Sequence, residues 1–130
     1  MDVEAMRRGV AYLIGTHDFK AFMSMGSTPQ ETTVRTIFEY EVLEEPLAEE
    51  PLAAEKGNMI TVSVRGDGFL YNMVRIMTGT LLDVGMGKIS PERVAEIIRL
   101  GERKNAGRTA PPQGLYLAEV HFENRRLRGV

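Results

Sequence analysis

One arginine lies in the middle of the most apolar stretch of this 130-residue chain. Between Gly68 and Leu82, Arg75 is the only charged residue. A guanidinium keeps its charge under any realistic condition, and its burial without a partner is very unfavourable. Arg75 therefore requires a carboxylate, a phosphate or exposure in a cleft. The alternative is a structural role, as a snorkelling arginine or in an internal ion pair with Asp18 or Glu119.

A cluster of positive charge occurs later in the chain. Arg99, Arg103, Lys104 and Arg108 lie within ten positions, with Glu102 the only acid among them. Such a cluster can contact the phosphates of a nucleic acid. It is equally consistent with a solvated helix end whose cations complement the helix dipole. The residue types alone leave both interpretations open.

Negative charge is concentrated in one segment. The net charge is −2, but seven of the 18 acids fall within residues 39–55, where no base occurs. The remainder carries 16 bases and 11 acids. Nucleic-acid binding needs a local basic patch rather than a basic average, so the overall charge does not exclude an RNA partner. Ordinary solvated surface would show the same distribution.

The sequence offers little for metal or nucleophilic chemistry. It has no cysteine, and its two histidines are far apart, which argues against a metal site. His17 and Asp18 are adjacent, and adjacent residues rarely meet for nucleophilic catalysis. Asp18 is instead predicted to cap a short turn, with Phe19 and Phe22 anchoring the loop in the core. The segment Gly66–Gly68 matches neither glycine-rich phosphate fingerprint and is interpreted as a turn.

Hydrophobic periodicity predicts the elements that position these residues. Helical spacing or start signals occur at 2–14, 69–84 and 90–100, and alternation occurs at 33–42, 59–65 and 114–122. Residues 16–32 are interpreted as irregular, and 44–57 as a polar, variable hairpin tip. The order α-β-β-α-α-β predicts one α+β domain over residues 1–130. Its expected architecture is an antiparallel or mixed sheet with helices packed on one face.

The strand faces follow from the alternation. Val34, Thr36, Phe38, Tyr40 and Val42 are predicted to share one face, with charged residues opposite. The 69–84 helix is apolar around most of its circumference and is predicted to be central.

No membrane or export signal is evident. No apolar run reaches the roughly 18 to 20 residues that span a bilayer. The N-terminal residues lack the positively charged segment and apolar run of a secretory signal. We therefore expect a cytoplasmic protein with no membrane partner.

Several blocks of the chain resemble the TruA family of tRNA pseudouridine synthases. The longest is Gly66–Ile76, and further similarity lies at Gly15–Phe19, Ala106–Pro112 and Gly114–Leu117. The resemblance covers most of positions 2–122 and implies half of a pseudouridine synthase fold. Members isomerise uridine to pseudouridine in the anticodon stem-loop of tRNA, act as homodimers and need no metal or cofactor. An aspartate attacks or otherwise activates the flipped nucleotide.

The resemblance also implies residue roles. A family arginine pairs with the catalytic aspartate, and Arg75 occupies its position, where it would hold the carboxylate ionised. The leucine matching Leu115 forms part of the apolar wall of the base pocket. The family's Gly-Arg-Thr-Asp motif lies in the first half of the full-length enzyme, together with an active-site tyrosine. Here the similar string Gly107–Ala110 ends in alanine, and it belongs to a separate motif.

The chain is therefore expected to be a C-terminal half that needs the missing N-terminal half of the same protein and is inactive alone. A stand-alone RNA-binding module and a structural or dimerisation domain are the alternatives, because family resemblance alone does not establish activity. A reading frame that extends upstream through Gly-Arg-Thr-Asp would favour the enzyme. Translation that begins at Met1 would favour the module.

Overall fold

The structure is a computed structural model that describes residues 1–24, 26, 32–46 and 58–110. The helices are α1 (Val3–Val10), α2 (Met73–Gly85) and α3 (Arg93–Leu100), and the strands are β1 (Gly15–Asp18), β2 (Val34–Pro46) and β3 (Asn58–Gly66). Single 3-10 turns occur at Lys20–Phe22 and Arg103–Asn105. The predicted strand at 114–122 and most of the predicted hairpin tip, residues 47–57, lie outside the described residues.

The three strands form one antiparallel sheet in the order β1-β2-β3. Helix α1 packs against β2 and α2. Ile60, Val62 and Val64 of β3 are buried on one face, as the alternation of apolar residues in this segment predicts. The prediction of an α+β fold with helices against one face of an antiparallel sheet is confirmed for the described residues.

Strand β2 changes face at an irregularity in its pairing with β3. The register shifts between Ile37 and Glu39. Ile37 and Tyr40 are both buried, whereas Val34 and Phe38 are 44% and 42% exposed. The prediction that Val34 and Phe38 share the buried face of Tyr40 is therefore wrong. An extra residue at a β-bulge shifts the alternation by one, which exchanges the two faces of the strand.

Strand β1 was not predicted. The sequence pattern indicates irregular structure for residues 16–32, but Gly15–Asp18 pairs with β2 from Gly15 opposite Ile37 to Asp18 opposite Val34. The strand carries mostly polar side chains, so it shows no hydrophobic alternation. Cross-strand contacts such as Thr16 Oγ1 to Thr36 Oγ1, 2.8 Å apart, support it instead.

The ends of α1 and α3 follow local capping signals. Asp2 caps α1, because its Oδ1 accepts from the amide of Ala5 at 2.9 Å. The helix ends at Val10 rather than continuing to residue 14. At α3, Ser90 Oγ accepts from the amide of Arg93 at 3.2 Å, which agrees with the predicted start signal.

Helix α2 begins later than predicted. It starts at Met73, and residues 69–72 form a turn that ends in Asn72 with φ 59° and ψ 12°, a left-handed conformation. Apart from Arg75, Leu82 and Asp83, every residue of α2 is buried, so the prediction of a central helix is confirmed. The left-handed residue explains the late start, because a right-handed helix cannot pass through it.

One buried phenol joins the sheet to α2. Thr78 Oγ1 donates to the carbonyl of Val74 at 2.7 Å, so it must accept from the Tyr40 hydroxyl, 3.3 Å away. Desolvation by burial raises the pKa of Tyr40 well above its ordinary value. Tyr40 is thus a neutral core residue and not a candidate acid or base.

Candidate functional site

Arg75 lies half-buried in the first turn of α2 and is bonded to neutral groups. Its Nε donates to the carbonyl oxygen of Ala110 at 2.8 Å, and its Nη1 donates to Asn72 Oδ1 at 3.1 Å. Its own carbonyl oxygen accepts from the amide of Ala110 at 3.0 Å. The guanidinium is therefore held in place without a carboxylate from any residue that the structure describes.

The internal ion pair considered for Arg75 does not form with Asp18. The Oδ1 atom of Asp18 accepts from the Lys20 amide at 3.1 Å and from Thr33 Oγ1 at 2.6 Å. The other candidate partner, Glu119, lies outside the described residues. Asp18 is therefore a turn-capping residue, as predicted, and its carboxylate is already engaged by local donors.

The bond to Asn72 extends to a second segment of the chain. Asn72 Nδ2 donates to Ser24 Oγ at 2.8 Å, and the amide of Ser24 donates to the carbonyl of Tyr71 at 3.2 Å. Side-chain bonds thus run from Ser24 through Asn72 to Arg75. The residues before α2 are held in this way against the chain that follows the first 3-10 turn.

Residues 106–110 lie in backbone contact with α2. The amide of Gly107 donates to Thr80 Oγ1 at 2.8 Å. A Cβ atom at Gly79 would overlap the carbonyl oxygen of Arg108, and one at Gly107 would lie 2.8 Å from Thr80 Cα. These two glycines permit the close approach. The approach places the Ala110 carbonyl beside the Arg75 guanidinium.

Arg103, one of the predicted phosphate contacts, holds this same segment. Its Nη1 donates to the carbonyl of Gly107 at 2.8 Å and its Nη2 to Thr109 Oγ1 at 3.3 Å. The side chain is half-buried. Two of the Arg103 hydrogen bonds therefore hold residues 107–109 in place. That segment in turn positions the Ala110 carbonyl, which Arg75 contacts.

A cleft of about 630 Å³ lies beside this segment. Four cations line it, and they come from two separate parts of the chain: Lys20, Arg103, Lys104 and Arg108. Glu102 is the only acid in the described lining. Arg99 lines a different depression of about 290 Å³ between α3 and residues 11–17. The structure thus brings three of the four predicted cations together and separates the fourth.

Lys20 was missed at the sequence level because only packing of the two 3-10 turns brings it to the cluster. Lys20 and Arg108 are exposed. The Lys104 ammonium lies 3.4 Å from Glu102, but both side chains are more than half exposed. Such a pair contributes little, so it does not remove the positive character of the cleft.

The other candidate sites do not assemble. His17 Nε2 lies 2.9 Å from the carbonyl of Ile14, and its ring packs edge-on against Phe19, so it does not pair with Asp18. Phe19 itself is fully buried, as predicted. Asp67 Oδ1 accepts from the amide of Thr36 at 2.8 Å and fixes the turn after β3.

A metal site and a membrane span are both absent from the described ranges. No group of three histidine, aspartate or glutamate side chains there is placed to bind a metal ion. No helix within those ranges is long and apolar enough to cross a membrane.

Comparison with known proteins assigns the class. Residues 10–123 match a protein-family model described as tRNA pseudouridine synthase. The chain therefore belongs to the tRNA pseudouridine synthase family, and the expected membership is confirmed.

Individual relatives agree with that assignment. The chain is similar to proteins named tRNA pseudouridine synthase A from Acetivibrio thermocellus (46% identity over 122 residues) and Bacillus subtilis (43% over 124 residues). The alignments cover 94% and 95% of this chain and 45% of each relative. The chain thus spans about half the length of the curated relatives that it matches.

Proposed function

We propose that this chain is part of an enzyme that isomerises uridine to pseudouridine in the anticodon stem-loop of tRNA. Arg75 is the group of this chain that would contact the catalytic carboxylate, and a segment outside this sequence would supply that carboxylate. The observation that carries the proposal is a half-buried, permanently charged guanidinium bonded only to neutral groups among the described residues. A charge in such a place is stabilised by an anion or by exposure in a cleft, and a catalytic carboxylate would supply the anion.

The guanidinium has donors that the described residues do not use. Among those residues, Arg75 bonds through its Nε hydrogen and one Nη1 hydrogen, so both Nη2 hydrogens and the second Nη1 hydrogen find no acceptor there. A carboxylate can accept two parallel bonds from one guanidinium. Such a contact would lower the pKa of the carboxyl group and keep it ionised and oriented for its reaction with the nucleotide. Leu115, outside the described residues, is the proposed apolar wall of the base pocket.

The cationic cleft is the proposed contact for the RNA backbone. Lys20, Lys104 and Arg108 would face phosphates, and Arg103 would mainly hold the segment that connects the cleft to Arg75. Arg99 would join them only if the RNA also reaches the separate depression that Arg99 lines. Phosphate contacts of this kind position an RNA and do not read its sequence.

We expect no pseudouridine from this chain alone, even at high concentration with unmodified tRNA. The two carboxylates that could substitute for the missing aspartate, Asp18 and Asp67, are held by backbone and hydroxyl donors. Joining the chain to the part of the Acetivibrio relative that it does not match should restore product. The control is the same fusion with the aspartate of Gly-Arg-Thr-Asp changed to asparagine. Product from the chain alone would contradict the active-site assignment.

A second expectation concerns binding. In the same fusion, Lys104→Ala combined with Arg108→Ala should flatten the dependence of tRNA affinity on salt. Each lost phosphate contact reduces the slope of log K against log salt by roughly 0.7 to 0.9, so the pair should reduce it by about 1.5. Filter binding across salt concentrations measures the slope. Arg8→Ala with Lys88→Ala removes equal charge away from the cleft lining and is the matched control. Equal slopes for all three proteins would exclude this cleft as the RNA contact.

A further inference from the structure

We infer that Asn72 is a positioning residue that sets the orientation of the Arg75 guanidinium, with Ser24 fixing the Asn72 amide. Three observations carry the inference. They are the hydrogen bonds of Asn72, its backbone conformation, and the cap that its side chain does not make. The inference rests on the proposed function only where activity is measured.

The hydrogen bonds of Asn72 use both ends of its amide. Oδ1 accepts from Arg75 Nη1 at 3.1 Å, and Nδ2 donates to Ser24 Oγ at 2.8 Å. The bond to Arg75 assigns the amide orientation, because the reversed amide would point donors at the guanidinium, whereas the Ser24 hydroxyl can accept or donate. Arg75 is then held at two points, by Asn72 at Nη1 and by Ala110 at Nε.

The backbone of Asn72 is in a conformation that few side chains tolerate. Its φ of 59° makes it the one residue other than glycine with positive φ among those described. Glycine adopts this conformation more readily. Asparagine is among the few residues other than glycine that adopt this conformation, and residues held there cluster at functional sites.

The side chain of Asn72 also forgoes its usual role at this position. Asparagine is among the preferred residues at a helix N-cap, where its side chain accepts from a backbone amide of the first turn. Asn72 precedes α2 but makes no such bond. Its Oδ1 contacts Arg75 instead. The side-chain amide of Asn72 therefore bonds the guanidinium and does not cap the helix.

An amide suits this task better than a carboxylate. Aspartate at position 72 would also accept from Arg75, but its charge would pair with the guanidinium and compete with the catalytic carboxylate. It would also lose the donor that contacts Ser24. A neutral acceptor orients the guanidinium and leaves its positive charge available to pair with the catalytic carboxylate.

The test begins with Asn72→Gly, because glycine keeps the backbone conformation and removes only the side chain. In the fusion enzyme, we expect kcat to fall about 10- to 100-fold, with KM for tRNA and the melting temperature little changed. Ser24→Ala should lower kcat less, because it frees the amide without removing it. Asn72→Asp should lower kcat more than glycine does, because it pairs with Arg75 permanently. An unchanged kcat in Asn72→Gly, or a loss seen only in KM or stability, would overturn the inference.

Nuclear magnetic resonance of this chain provides a readout that needs no activity. The ¹⁵N relaxation of the Arg75 Nε–Hε group reports the order of the guanidinium on the ps–ns timescale. We expect its order parameter to fall in Asn72→Gly and to stay high in Asn105→Gly, a matched loss of an asparagine side chain elsewhere. An order parameter that is equally high in both variants refutes the positioning role. If the fusion never forms pseudouridine, the proposed function fails, while this relaxation result still decides the inference.

Discussion

Replacing Arg75 with lysine in the fusion enzyme should lower kcat roughly 100- to 1000-fold, the range seen when one preorganised donor is removed from an active site. Lysine keeps the positive charge but has a single ammonium in place of the planar fork. It cannot bond Ala110, Asn72 and an incoming carboxylate in the geometry that Arg75 provides. Because Arg75 does not line the cationic cleft, tRNA affinity should change by less than about threefold.

The measurement is pseudouridine formation under single-turnover conditions, with affinity taken from filter binding. Arg93→Lys is the matched control, because it makes the same substitution at an arginine that is paired with Glu96 on α3. Arg93 has no role in the proposed chemistry. Melting curves of both variants separate lost catalysis from lost folding. A lysine enzyme within tenfold of the parent would show that the guanidinium fork is not required, and Arg75 would return to a structural role.

The sequence pointed to Arg75 because the contrast between one charge and its apolar neighbours is local. The partners of Arg75 could not be predicted in the same way. Ala110 lies 35 positions away and reaches the guanidinium only because residues 106–110 pack on α2. Asn72 was included in the predicted helix, and its left-handed backbone, which turns its amide to Arg75, leaves no periodic signal.

The sheet shows a similar division. The alternation in β3 predicted its buried face correctly, since nothing interrupts its period. In β2, the irregularity after Ile37 reverses the faces, and Phe38 becomes exposed. A single inserted residue has no compositional signature, so periodicity continues through it unnoticed. Strand pairing is likewise a long-range property. Pairing with β2 makes Gly15–Asp18 a strand although its polar composition does not predict one.

The candidate cleft was predictable only in part, for the same reason. Arg103, Lys104 and Arg108 are close in sequence, and they share the cleft. Arg99 is closer to Arg103 along the chain than Arg108 is, yet it belongs to α3 and lines another depression with Ala95 and Ile98 of that helix. Proximity in sequence predicts a shared surface only within one loop or one helix face.

The close contact between α2 and residues 106–110 gives the largest expected effect on stability. In an exposed helix, Gly→Ala normally stabilises by up to about 1 kcal/mol. Gly79→Ala should do the reverse and destabilise the chain by roughly 3 kcal/mol, because overpacking against backbone cannot be relieved by a rotamer change. The added Cβ would overlap the Arg108 carbonyl oxygen and lie 2.9 Å from its carbonyl carbon. Calorimetry should show a melting temperature lower by about 10 °C.

Gly85→Ala provides the matched comparison, since it makes the same substitution in the same helix. The nearest atoms to its added Cβ belong to the flexible side chains of Met1 and Met6, which can move aside. Its effect should therefore be clearly smaller. If the segment detaches instead of straining α2, Gly79→Ala will melt normally but lose order at the Arg75 Nε–Hε group, because the Ala110 carbonyl will have left. Normal melting together with an ordered Arg75 would show that the two backbones are not in the contact described, and the geometry assigned to Arg75 would have to be abandoned.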